Sequence, residues 1–230
     1  MDVNVNGHIN HWNFWVYPAE LPAVKKGDIY FCKKLDEKAQ SILKNGGEVF
    51  LLAAGSVENG KDVVQYLKPV FWNTSWFKMR PPHTLGILCD PNNPAFADFP
   101  TEFHSNLQWW EILDRQQVMN LELFPPDFKP LIQPIDTWFL NRRLAVLFEA
   151  QVEKGKIMVC SSDLQSNLND RPAARQLLYS LTKYMLSDKF NPKYKVEYSI
   201  IKELFEKRDR PPAIIFHTKQ STDDLKPKRK

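Results

Sequence analysis

Hydrophobic positions along this chain fall into short blocks separated by Gly, Pro and charged turns, and the spacing inside each block predicts its element. His11 to Pro18 (HWNFWVYP) alternates, with Trp12, Phe14 and Val16 on one face and Asn13, Trp15 and Tyr17 on the other, which predicts a strand ended by Pro18 and Pro22. Asp28 to Cys32 (DIYFC) and Glu48 to Gly55 (EVFLLAAG) are apolar runs of strand length. Between them Leu35, Ala39, Ile42 and Leu43 recur at helical spacing, and Gly46 and Gly47 end the helix. Further strands are predicted at Thr84 to Cys89, Leu131 to Ile135, Leu144 to Val152 and Lys156 to Cys160, the last two joined in a hairpin across Glu153 to Gly155. A helix follows from Arg171 to Ser187, with Pro172 in its first turn and Leu177, Leu178, Leu181, Tyr184 and Met185 on one face. Glu197 to Lys207 predicts a short last helix.

Strand, helix and buried strand in immediate succession make a βαβ unit, which forces two parallel strands with a helix across one face. The expected fold is therefore α/β, with a mostly parallel sheet flanked by helices and one late antiparallel pair. Residues 1–22 read as the last strand of a preceding β-sandwich plus a linker, 23–190 as the α/β domain, and 191–230 as a weakly structured extension ending in a basic tail, KPKRK.

Composition narrows the chemistry. Of the 230 residues 43% are hydrophobic and 25% charged, the balance of a chain that buries a substantial core. Net charge is −3 over residues 1–150 (14 basic, 17 acidic) and +7 over 151–230, and the basic end is too short and localised to read as a nucleic-acid surface. The longest apolar runs, such as Leu144 to Phe148, fall well below the roughly 20 residues of a membrane-spanning helix, so no membrane partner is expected. Cys32, Cys89 and Cys160 each end an apolar run, which predicts buried free thiols. With no CxxC pair and no His at ligand spacing, no metal is expected, and with no Gly-rich phosphate motif opening a helix, no cofactor.

The densest set of functional side chains is EFHSNLQWW, where Glu102, His104, Asn106, Gln108, Trp109 and Trp110 lie within nine residues. Indole faces stack on sugar rings and the neighbouring polar groups bond hydroxyls, so the cluster is a candidate saccharide site; the same residues suit a core or an interdomain contact. In a second polar set, DTWFLNRR, Arg142 or Arg143 is expected to pair with Asp136 or Glu102 as an interdomain salt bridge holding the loops together, with a substrate clamp as the alternative. Five carboxylates, Asp90, Asp98, Glu102, Glu111 and Asp136, are candidates for the acid pair that glycoside hydrolysis needs, but spacing alone pairs none of them.

The runs NHWNFWVYP, LGILCDPNNPAFADFPTEFHSNLQWW, PIDTWFLNRRLAVLFEAQV, KIMVCSSDL and RPAARQLLYSL resemble the C-terminal region of bacterial family 2 glycoside hydrolases, the β-galactosidase-like enzymes. That resemblance implies a flavodoxin-like or class I glutamine-amidotransferase-like domain. Working amidotransferases carry Gly-x-Cys-x-Gly and a later His-x-Glu; here no cysteine has flanking glycines, and Glu102-Phe-His104 has the reverse order. The resemblance also puts the catalytic barrel upstream, implies the upstream domains as partners, and implies a periplasmic or secreted bacterial parent. The expected role is a non-catalytic accessory domain, with a carbohydrate-binding module at Trp109 and Trp110, or an independent hydrolase, as alternatives.

Overall fold

The computed structural model describes residues 1–25, 27–63, 65, 67, 84–137 and 140–207. Trp72, Trp76, Trp138 and the basic tail lie outside them. Among the described residues ten strands and four α-helices are formed: β1 (Asp2–Val5), β2 (His8–His11), β3 (Tyr30–Cys32), α1 (Glu37–Lys44), β4 (Glu48–Leu52), β5 (Ile87–Cys89), α2 (Trp110–Leu113), β6 (Met119–Asn120), β7 (Ile132–Pro134), β8 (Leu144–Ala145), β9 (Leu147–Val152), β10 (Gly155–Cys160), α3 (Pro172–Met185) and α4 (Tyr198–Lys202).

The body is an α/β fold around one six-stranded sheet in the order β3-β4-β10-β9-β7-β5. The expectation of a mostly parallel sheet is corrected: β3 with β4 and β4 with β10 are parallel, while β10 with β9, β9 with β7 and β7 with β5 are antiparallel. The reason is topological. After β4 the chain crosses to the far edge as β5 and returns inward through β7 and β9, reversing direction at each step, so that β3, β4, β7 and β10 run one way and β5 and β9 the other, and the only parallel neighbours are β3 with β4 and β4 with β10.

Successive side chains of β4 and β10 point to opposite faces, and both faces are covered, which is why these strands read as continuous apolar runs. On one face Phe50, Leu52, Met158 and Cys160 pack under Leu177, Leu181 and Met185 of α3. On the other, Val49, Leu51, Ile157 and Val159 pack with Ala39 and Leu43 of α1 and with Phe148 and Phe124. Asp36 caps α1 by accepting a bond from the Ala39 amide at 2.7 Å, and Gly46, at φ +87°, turns the chain into β4. Gly155 is required by close approach: a Cβ there would collide with the Gly47 carbonyl and the Leu43 backbone.

The predicted strand at His11 to Pro18 is shifted. Residues 1–12 form an antiparallel hairpin around Asn6-Gly7, with both turn residues at positive φ, and residues 12–18 carry no strand. An Asn-Gly pair between alternating residues is the sequence signal for such a hairpin.

Candidate functional site

The stretch 86–113 is folded as a rim on the edge of the sheet. Its strand, β5, pairs with β7 on one side, while on the other Leu88 bridges to His104 and the Cys89 amide donates to the Phe103 carbonyl at 3.1 Å. Asn93 accepts a bond from the Ala95 amide and starts a single 3-10 turn, Pro94–Phe96, which sends Phe96 and Phe99 inward. The chain then returns through a second 3-10 turn, Leu107–Trp109, that runs directly into α2.

Helical turns send neighbouring residues in different directions, and this splits the cluster. Trp109 is fully buried: its ring meets Phe99 edge-on at 5.1 Å and Phe96 at 6.4 Å, and its Nε1 donates to Thr101 Oγ1 at 2.9 Å. It has no face open to a sugar. Gln108 is buried as well, donating from Nε2 to the Pro100 carbonyl at 2.7 Å and accepting from the Tyr17 hydroxyl. Tyr17 also stacks on Phe99, and burial, with the Glu111 charge adding to it, pushes its hydroxyl up to about 12. The segment through Pro18, whose carbonyl accepts from Arg175 at 2.8 Å, is thereby strapped to the body.

Leu107 and Trp110 lie one helical turn apart and face outward, 71% and 47% exposed. Phe103 is exposed nearby in the chain. Glu102, half-exposed, accepts from Asn106 Nδ2 at 3.0 Å and lies 3.8 Å from His104 Nε2, while the Asn106 Oδ1 is buried without a hydrogen-bond partner. Glu102, His104, Asn106 and Trp110 are therefore the part of the cluster that meets solvent; Gln108 and Trp109 belong to the interior.

Asp136 and Arg142 form a separate lock. Asp136 is buried and accepts from the Arg142 Nε at 2.8 Å, from its Nη2 at 3.3 Å and from its amide at 2.9 Å, and Arg142 Nη1 reaches Asp62 at 2.8 Å. This pins the loop after β7 to the loop at residue 62. Arg143, which the sequence offered beside Arg142 as a partner for Asp136 or Glu102, donates instead to the carbonyls of Leu121, Phe124 and Pro125 at 2.7 to 2.8 Å, so its guanidinium shapes that loop from within.

The candidate acids are largely committed to the fold. Asp90 accepts from the Asn92 amide, Asp98 pairs with Lys183 at 2.8 Å, and Glu111 accepts from the Ala174 amide at 2.9 Å, which satisfies an amide in the first turn of α3. The thiols are equally committed. Burial pushes Cys32 and Cys160 up to about 12 and Cys89 up to about 11, so each is held protonated, the opposite of an activated nucleophile. Among the described residues no cluster of His, Cys, Asp and Glu is arranged to hold a metal ion, and no helix is long and apolar enough to cross a membrane.

The family profile of a domain of unknown function (DUF8487) matches residues 30–206. The chain belongs to the DUF8487 family. The DUF8487 match begins at the first residue of β3 and ends four residues past α4, so it takes in the six-stranded sheet, the 102–110 cluster and the Asp136 to Arg142 lock. The N-terminal hairpin and the Tyr17 strap lie outside it. No curated protein matches the chain.

Proposed function

We propose that this chain is a non-catalytic accessory domain of a larger glycoside hydrolase acting on β-linked saccharides, with a flavodoxin-like or amidotransferase-like body and upstream domains of the parent as its partners. The observation that carries the reading is the commitment of the acids. Asp90, Asp98, Glu111 and Asp136 spend carboxylate oxygens on backbone amides, Lys183 or Arg142, and a group held this way is a structural part rather than a free acid or base. The resemblance to C-terminal regions of family 2 glycoside hydrolases supplies the parent. Docking is supported by outward-facing Leu107 and Trp110 and by the N-terminal strap, whose Phe14 and Val16 are exposed while Tyr17 packs against the body.

A second reading, a saccharide platform, is favoured by the exposed Trp110 beside the solvent-facing Glu102 and Asn106. Calorimetric titration of the chain with β-linked oligosaccharides separates the two. The accessory reading expects no saturable heat; saturable binding that Trp110→Ala abolishes, with an unchanged melting temperature, would replace it with the platform.

A further inference from the structure

We propose that Asn6 is a self-modification site: attack by the Gly7 nitrogen expels its side-chain nitrogen as ammonia and leaves an aspartyl or isoaspartyl residue at the tip of the N-terminal hairpin. The chain has three Asn-Gly pairs, at positions 6, 45 and 59. Each has the required atoms, because a glycine has no Cβ to keep its backbone nitrogen away from the preceding Cγ. What separates the three is how firmly the carboxamide and the attacking nitrogen are held. Asn59 is buried, its Nδ2 donates to the Asn120 carbonyl at 3.2 Å, and its own carbonyl accepts from the Asn120 amide at 2.9 Å. Asn45 closes α1. Its Nδ2 donates to the Ser41 carbonyl at 2.9 Å and the Gly46 amide to the Leu43 carbonyl at 3.2 Å, so ring closure there requires opening the last turn of a helix whose Leu43 is fully buried.

Asn6 is under no such restraint. With Gly7 it forms the exposed two-residue turn between Val5 and His8, at φ +51° and +85°, and every residue of β1 and β2 is exposed. Among the described residues no hydrogen bond holds its carboxamide, and the Gly7 amide donates to Asn4 Oδ1 at 3.0 Å, at a surface where water competes for it. A two-stranded ribbon that buries no side chain opens readily, which frees the turn dihedrals and lets the Gly7 nitrogen reach Cγ. In the reaction the Gly7 nitrogen bonds to Asn6 Cγ, the Cγ–Nδ2 bond breaks, and Nδ2 leaves as ammonia with the proton of the Gly7 amide. Water then opens the succinimide ring at either carbonyl, its hydroxyl going to carbon and its proton to the Gly7 nitrogen. Nothing is oxidised or reduced. Opening at Cγ leaves an aspartyl side chain, whereas opening at the backbone carbonyl reroutes the chain through Cβ and Cγ and lengthens it. Both products add a negative charge at the turn, and the lengthened one breaks the turn that sets the hairpin register. This inference is independent of the accessory reading.

Peptide mapping of the native full chain held at mildly alkaline pH tests it. Trypsin leaves Asn6 in the peptide that ends at Lys25, and both Asn45 and Asn59 in the peptide from Asn45 to Lys61. The expected result is the mass gain of an amide turned into an acid in the first peptide, localised by fragmentation to position 6. It should accumulate more than about tenfold faster than in the second peptide and slow as the pH is lowered. In strong denaturant, where the fold no longer protects Asn45 and Asn59, the two peptides should react at similar rates. Asn6→Gln should abolish the gain at position 6, and Gly7→Ala should slow it. An unmodified first peptide, a gain there that survives Asn6→Gln, or equal rates in the two peptides of the native chain overturns the proposal.

Discussion

Trp109 and Trp110 are adjacent, identical in chemistry and opposite in role, because the turn through Leu107–Trp109 into α2 sends one indole under Phe99 and the other into solvent. Trp109→Ala removes a fully buried ring together with its bond to the Thr101 hydroxyl, and is expected to cost about 3 to 5 kcal/mol. Trp110→Ala should stay within about 0.5 kcal/mol of the parent, since an exposed side chain leaves no cavity. Urea denaturation of the two variants side by side checks both values. Which of two neighbouring tryptophans faces inward was not legible from EFHSNLQWW, because the direction depends on a 3-10 turn entering a helix of only four residues, a feature with no period to read. Glu149 provides a second test at this scale. It is half-buried in β9, and burial raises its carboxyl above the ordinary range, although the Tyr184 hydroxyl donates to it at 2.9 Å and Lys156 lies near. The folded state therefore holds this proton to higher pH than the unfolded chain does. Its contribution to stability is most favourable below the ordinary value of about 4.5 and is lost as pH rises through the raised folded value. Glu149→Gln should flatten that fall, read as the urea midpoint against pH; a wild-type midpoint that rises through this window in step with the charging of Glu149 would contradict the burial account.

At the scale of elements, the periodic segments were legible and the connections less so. The predicted helix at Arg171 to Ser187 is observed as Pro172–Met185, and the apolar runs at Glu48 and Lys156 form β4 and β10, because both faces are covered and positions 49–52 and 157–160 are all apolar. Beyond the βαβ unit the antiparallel hairpin of β9 and β10 was legible from its Gly-containing turn, whereas the directions of β5 and β7 were not, since they are set by long connections that carry no periodicity. The N-terminal segment divides at Tyr17: before it the chain is a projecting hairpin, and at it two contacts, the Gln108 bond and the Phe99 stack, attach the chain to a body whose two cores draw on residues from Ile29 onward. A chain starting at Leu21 should therefore keep its circular dichroism spectrum and its cooperative unfolding, with a loss of about 1 to 3 kcal/mol from the missing Tyr17 and Pro18 contacts. Loss of cooperative folding in that truncation would show that the strap is part of the core.

For the whole molecule, the six-stranded sheet fixes a rigid body from which a solvent-facing patch at Leu107 and Trp110 and a hairpin arm project, while the acids and thiols of the interior are spent on holding loops and helix ends. The central claim, that the chain is not catalytic by itself, is tested most directly by assaying the purified full chain against aryl β-glycosides. The expected result is no release of aryl alcohol above the uncatalysed rate; turnover that persists through purification and is lost in Glu102→Gln, the substitution at the candidate acid that faces solvent with Asn106 and His104, would contradict it.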